Sequence, residues 1–293
     1  MTICIAAMHN DGGIVGVSDK MFSTEAMAFE PKGTTKKVFA LAPGIFALNA
    51  GHVALQAEIM EEMQTVYNAG KKEANEKNYT VKGMVDLYVD CFNRIRRQRI
   101  NNSVFASYGL DEQTFLARQK DLSDVFVREM MIKVDQFQFP AVESIIAGID
   151  NSTGHVEPHI YIVKRHYYEN VVQCCDAVGY ATIGSGSPHV EAYFMFSQFT
   201  RHYSLPKTIA LSYFAKKRAE LAPNVGKQTD MFLLGPTLGF NTNLATTLDY
   251  KMLDAMYENI NENERICTEA AFEKLFEDLK GKLPIRTSQY DKS

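Results

Sequence analysis

Asn10-Asp11-Gly12-Gly13 stands between two short runs of small and β-branched residues, Thr2-Ile3-Cys4-Ile5-Ala6-Ala7-Met8 and Ile14-Val15-Gly16-Val17-Ser18-Asp19. An Asp-Gly turn between β-prone runs is a strong short-range signal for an antiparallel hairpin, because glycine accepts the positive φ that such a turn demands. The sequence therefore opens inside a sheet. A second pair, Lys36-Lys37-Val38-Phe39-Ala40-Leu41 and Ile45-Phe46-Ala47-Leu48-Asn49-Ala50-Gly51, is divided by Pro43-Gly44 and reads as another hairpin.

After Gly51 the period changes. Leu55, Ile59, Met63, Val66 and Tyr67 recur every three to four residues as one apolar helix stripe, and Val81, Met84, Val85, Tyr88, Cys91, Phe92 and Ile95 mark a second. Two amphipathic helices must bury those faces on a sheet or on each other. Residues 101–123 read as polar and irregular. Val125-Phe126-Val127 then leads through Met130 and Met131 into a stretch with no assigned element, so 101–135 reads as an insertion. Strands return at 144–149 and 159–163, around the turn-rich Asp150-Asn151-Ser152-Thr153-Gly154, and again near 170–174. Ala181-Thr182-Ile183 precedes a Gly184-Ser185-Gly186-Ser187-Pro188 loop that feeds a helix with proline in its first turn, as its fixed φ allows. Pro206 opens a further helix, with Ile209, Ala210, Tyr213, Phe214, Ala215 and Leu221 as its apolar face, and 230–234 is a last strand. Residues 245–285 look helical and separate in character. Hairpin blocks alternating with helix pairs favour an α+β sandwich, in which helices cover both outer faces of stacked antiparallel sheets.

Composition narrows the function. With 293 residues, 46% apolar and 23% charged, the chain is one large domain or two small ones and is neither collagen-like nor disordered. Its 31 basic and 35 acidic side chains give a net charge of -4, so no global positive field favours nucleic acid. The arginines at 94, 96, 97 and 99 sit near a helix end, where cations complement the dipole, and lack interleaved aromatics. No apolar run approaches the ~18 residues of a membrane span, and the first thirty residues lack the order of a signal peptide. A cytoplasmic protein without membrane contact is expected. Five scattered cysteines, Cys4, Cys91, Cys174, Cys175 and Cys267, fit reduced thiols. Cys174-Cys175 lacks the spacing of a zinc site, and Gly154 and Pro158 argue against a helical pairing of His155 with His159, so no metal or cofactor is expected.

Five groups of residues stand in a telling order: Thr2-Ile3, Asp11-Gly12-Gly13 through Asp19 and then Lys37, Ala50-Gly51, Ile146-Ala147-Gly148-Ile149-Asp150, and Ile183-Gly184-Ser185-Gly186-Ser187. Taken singly, Asp19 is a turn residue, Lys36-Lys37 a solvated pair and the Gly-Ser loop a flexible turn or anion site. In that joint order the chain resembles a proteasome β-type subunit of the N-terminal nucleophile (Ntn) hydrolases over roughly residues 2–100 and 140–236. It is most similar to small bacterial relatives, of the kind called Anbu or the protease partner of an unfoldase ATPase, since no long propeptide precedes the threonine. The resemblance implies a four-layer αββα sandwich over residues 2–244, with the insertion at about 101–135, and a helical extension over 245–293.

It also implies catalytic roles for Thr2, Asp19, Lys37, Gly51 and Ser185. A threonine hydroxyl needs a base, and an α-amine, which titrates at about 7.7–8.0, can serve once Met1 is removed. Lys37 would lower the pKa of that amine and favour the developing alkoxide, Asp19 would hold the lysine, the Gly51 N–H would donate to the oxyanion, and Ser185 would orient the amine. By family position Phe22, Thr35 and Asn49 would line the S1 pocket, where a polar Asn49 would not favour a large apolar P1 side chain. One departure stands out: the family's Asp-x-x-Ser-Gly stretch reads here Ala222-Pro223-Asn224-Val225-Gly226, so no residue of that segment is carried over, and Asn224 and Thr229 are the polar residues at hand. The expectation is a cytoplasmic threonine hydrolase acting on peptide or unfolded protein, built as a homo-oligomeric ring or helical turn, with an ATPase partner left open. The alternatives are a non-proteolytic amidase and a catalytically silent assembly subunit.

Overall fold

The amino-terminal hairpin forms around its Asp-Gly turn. Strands β1 (Cys4–His9) and β2 (Gly13–Asp19) pair antiparallel from Cys4 opposite Ser18 to His9 opposite Gly13, with Gly12 at φ 72° in the turn. In the computed structural model, residues 2–23, 28–29, 37–73, 80–150, 157–166, 169–235 and 250–279 are described. They divide into two compact units, Met1–Thr247 and Leu248–Ser293.

In the first unit, β3 (Phe22–Ser23) and β4 (Ala28–Phe29) make a small pair, and β5 (Val38–Ala42) and β6 (Ile45–Gly51) form the second hairpin, closed by Gly44 at φ 75°. Next come α1 (Val53–Glu73) and α2 (Val81–Ile100), followed by the intervening segment. Strands β7 (Val142–Asp150), β8 (Glu157–His166) and β9 (Glu169–Cys174) extend the second hairpin into a five-stranded antiparallel sheet of order β5-β6-β7-β8-β9. The first hairpin gains β10 (Tyr180–Ile183) beside β1 and, after α5 (Ser187–Phe196) and α6 (Leu205–Ala219), β11 (Thr229–Leu234) beside β2, giving the order β10-β1-β2-β11.

Alternation along β6 assigns the faces. Ala47, with Ile146 and Val163, packs against Leu55, Ile59 and Met63 of α1 and Met84, Tyr88 and Phe92 of α2. The neighbouring positions Phe46 and Leu48, with Ile145, Ala147 and Ile160, face Cys4, Ala6, Ile14, Phe232 and Leu234 of the four-stranded sheet. Period-2 side chains thus build one core under the helices and a second between the sheets. Helix α6 contacts β1 and β2, and α5 contacts α6 and β10. Thr80 caps α2 by accepting from the Gly83 N–H at 3.0 Å, and Asp150 at the end of β7 accepts from the Val81 N–H at 2.7 Å.

Residues 101–123 are not irregular. A π turn over Asn101–Phe105 continues α2, and α3 (Glu112–Ala117) and α4 (Asp124–Asp135) follow. Asp111 and Ser123 cap the two helices through the Thr114 and Phe126 N–H groups, and Ile100, Val104, Phe105, Phe115 and Met130 bury a small core of their own. The β-prone Val125-Phe126-Val127 is the first turn of a capped helix, because the cap supplies what the propensity lacks. Two of the arginines near the end of α2 reach across to α1, Arg94 to Glu62 and Arg99 to Glu58. Helix α6 ends at Ala219, so Leu221 lies beyond it and is exposed.

The second unit contains α7 (Tyr250–Leu279), where Arg265 pairs with Glu262 and Glu269; the rest of 245–285 lies outside the described residues. Among the described residues the protein is therefore α+β, with antiparallel sheets of four and five strands, a two-stranded pair and seven α-helices. No helix among them is long and apolar enough to cross a membrane.

Candidate active site

Three of the residues singled out above meet at one end of the two sheets. Thr2 immediately precedes β1, Asp19 ends β2, and Lys37 leads into β5 of the opposite sheet. Thr2 shares the parity of Cys4, Ala6 and Met8, whose side chains face the space between the sheets. Thr2, Asp19 and Lys37 are only 4%, 1% and 5% exposed. Lys37 Nζ donates to Asp19 Oδ1 at 2.6 Å and to Thr2 Oγ1, and Thr2 Oγ1 donates to Asp19 Oδ1. The hydroxyl is thus held between an ammonium and a carboxylate in a nearly dry setting.

A carboxylate so buried needs its lone pairs occupied, and Asp19 meets that demand. Besides Thr2 and Lys37, its Oδ1 accepts from the Ile3 N–H at 3.0 Å, and its Oδ2 accepts from the Met21 and Gly226 N–H groups at 3.2 and 2.9 Å. Cys4 lies beside the cluster. Burial pushes its thiol up to about 12, and Sγ donates to the Asn49 carbonyl at 3.5 Å, so the reactive thiolate is suppressed.

The Gly-Ser loop closes over the same threonine. The Gly186 N–H donates to the Thr2 carbonyl at 3.3 Å. Gly184 sits at φ 96°, and a Cβ there would lie 2.2 Å from that carbonyl oxygen, so only glycine fits. Ser185 is exposed on the loop between these glycines. From the facing sheet, Glu143 of β7 accepts from the Gly184 N–H at 2.9 Å and ties the loop across the cleft. Gly51 ends β6 at the same end as Lys37, because Lys37 lies across from Asn49 and the Asn49 N–H donates to its carbonyl at 3.1 Å. Gly51 adopts φ 104° with the Ala141 carbonyl 2.3 Å from where a Cβ would stand.

Asn49 belongs to another environment. It shares the parity of Ala47, toward the helices, where Ser144 Oγ lies 2.5 Å from its Oδ1 and 2.8 Å from the Tyr88 hydroxyl. Its side chain thus lies apart from the Thr2 hydroxyl, and only its backbone reaches the cluster, through the Lys37 carbonyl and the Cys4 thiol. Phe22 lies in β3, and its side chain, like the whole of Thr35, is outside the described residues.

Three residues at the site escaped the sequence reading: Glu143, Gly226 and, behind the cluster, Lys216. Gly226 had a signal, since it is the one position where 222–226 coincides with Asp-x-x-Ser-Gly. It contributes a backbone N–H, which residue type does not reveal. Ala222 and Val225 are buried, and Thr229 stands opposite Asp19 in the β11–β2 register. Among the described residues no group of three or more His, Cys, Asp and Glu side chains could hold a metal ion, and His159 pairs with Asp176 at 2.7 Å. No protein-family model matches this chain, and no curated protein does.

Proposed function

We propose that the chain is a proteasome-like Ntn hydrolase with a four-layer αββα sandwich, in which Thr2, freed by removal of Met1, cleaves peptide bonds. The observation that carries this reading is the buried contact of the Thr2 hydroxyl with the Lys37 ammonium and the Asp19 carboxylate. The Thr2 nitrogen is acylated by Met1 in the full chain, so it gains basicity only when that residue leaves. The free amine then takes the hydroxyl proton, Oγ1 attacks the scissile carbonyl, and the Gly51 N–H receives the oxyanion. Collapse passes the proton to the leaving amine and leaves an ester on Thr2. Water, deprotonated by the same α-amine, hydrolyses the ester and regenerates the hydroxyl. Lys37 stabilises the alkoxide throughout, and Asp19 fixes Lys37. Peptide or unfolded protein is the substrate, and the homo-oligomeric assembly and cytoplasmic location belong to the same reading.

A catalytically silent assembly subunit is the second reading. It is favoured by the buried, apolar Ala222 and Val225, which stand where an aspartate and a serine would support the amine.

Intact-mass spectrometry with a threonine-directed peptide epoxyketone separates the two. The active reading expects a chain lacking Met1 that carries one adduct, and no adduct on Thr2→Ala. Retained Met1 with no adduct overturns it in favour of the silent subunit.

A further inference from the structure

Lys216, near the end of α6, is 0% exposed. Burying an ammonium is costly unless its donors are used, and two of its hydrogen bonds go to one short segment. Nζ donates to Glu220 Oε1 at 2.6 Å and to the Lys227 carbonyl at 2.8 Å. Lys217 approaches the other oxygen of Glu220 at 3.2 Å, which holds that carboxylate in place. Lys216 therefore grips both ends of residues 220–227.

That segment is the one that departs from the family pattern, and it serves the cluster. Its Gly226 N–H donates to Asp19 Oδ2 at 2.9 Å, and just beyond it the Gln228 carbonyl accepts from the Lys20 N–H at 3.2 Å. Asn224 turns the segment at φ 62°, in the left-handed region that asparagine enters more readily than other non-glycine residues, and the Val225 N–H closes the turn on the Ala222 carbonyl at 3.3 Å. Ala222 and Val225 offer no polar side chain that could anchor the turn. Burial lowers the pKa of Lys216, the hydrogen bond and charge of Glu220 are the main opposition to that shift, and the more distant charge of Asp19 adds a smaller pull in the same direction.

We propose that Lys216 is a positioning residue for the Thr2 site: it clamps residues 220–227 so that the Gly226 N–H stays on Asp19. It takes over, from within α6, the supporting task that the missing aspartate and serine leave open. Lys216 touches neither Thr2 nor substrate. It acts through Gly226 and Asp19 on the placement of Lys37. The inference rests on the hydrolase reading for its catalytic meaning, while the clamp itself is a structural claim.

The test uses the full chain and compares Lys216→Met and Glu220→Gln with wild type. Hydrogen exchange followed by mass spectrometry reads the 220–228 amides, and a fluorogenic peptide gives kcat and KM. In Lys216→Met, which loses the bonds to Glu220 and to the Lys227 carbonyl, exchange over 220–228 should speed up about tenfold or more while β1 and β2 stay protected. kcat should fall by a similar factor with KM unchanged, because binding surface is untouched while the nucleophile's support is loosened. Glu220→Gln should shift both quantities in the same direction by less, and it carries the test if Lys216→Met fails to fold. A fall in thermal midpoint with unchanged 220–228 exchange, or with unchanged kcat, overturns the proposal and makes Lys216 a general stabiliser. Faster exchange in a protein whose wild type shows no peptidase activity supports the clamp and overturns the hydrolase reading instead.

Discussion

Asp19 is the residue on which the others converge, since it accepts from two side chains and three backbone N–H groups. Its charge is tolerable because Lys37 lies 2.6 Å away and both are shielded from water. Lys37→Met removes the cation, keeps most of the volume, and strands a buried carboxylate. Such a change is expected to cost about 3–5 kcal/mol, read as a lower urea midpoint at unchanged m-value. Adding Asp19→Asn to that variant should recover part of the loss, whereas two independent losses that simply add would contradict the pairing. The pair is legible only through the resemblance, because taken singly an aspartate ending a β-prone run reads as a turn residue and Lys36-Lys37 as a solvated pair. Lys216 is not legible, because Lys216-Lys217-Arg218 in the last turn of α6 reads as cations complementing a helix dipole. Gly226 acts through an N–H that every residue but proline possesses.

Loops and hairpins translate those contacts into positions. Gly184 is held at φ 96° against the Thr2 carbonyl, so Gly184→Ala adds both backbone strain and a clash. It should destabilise by about 1–3 kcal/mol and slow epoxyketone capture at Thr2, measured under conditions where the variant is folded. Unchanged capture would show that the loop does not position Thr2. At the other end of the first hairpin, His9 is buried, and its Nδ1 accepts from the Asp11 N–H at 3.3 Å. Burial lowers its pKa although the Asp11 carboxylate pulls the other way. The unfolded chain then binds more protons than the folded one below the ordinary imidazole value of about 6.5. Stability should therefore be complete above that value and fall as pH drops through the window beneath it. Urea midpoints between about pH 7.5 and 5.5 should show that slope, and His9→Gln should flatten it. These hairpins were legible because Asp-Gly and Pro-Gly turns separate short apolar runs of β-prone residues. The 101–135 segment was not, because its helices are too short for a periodic stripe and are defined by the Asp111 and Ser123 caps and by a small core whose members come from four different turns.

The whole first unit positions the cluster, because its members are split between the sheets. Thr2 and Asp19 belong to the four-stranded sheet, while Lys37, Gly51 and Glu143 belong to the five-stranded one. Lys37 and Glu143 bridge the gap between them, and the side chains packed in the inter-sheet layer are expected to set its width. Phe46 and Phe232 are central to that layer, edge to face with centroids 4.1 Å apart and planes at 78°. Gly16 beneath them has room for no Cβ, since one would stand 1.9 Å from the Phe232 ring. Phe46→Ala should cost about 3–5 kcal/mol, because a cavity left between two sheets collapses only in part. The same variant should slow Thr2 capture although it touches none of the five hydrogen-bond donors to Asp19. The partial collapse displaces one sheet against the other, and Lys37 moves with its sheet relative to Thr2. Phe46→Leu, which refills most of the space, should restore both quantities together. If stability falls and recovers across the pair while the capture rate of the folded protein stays constant, the distance between lysine and threonine is set locally, by Asp19 alone, and the layer between the sheets contributes stability without geometry.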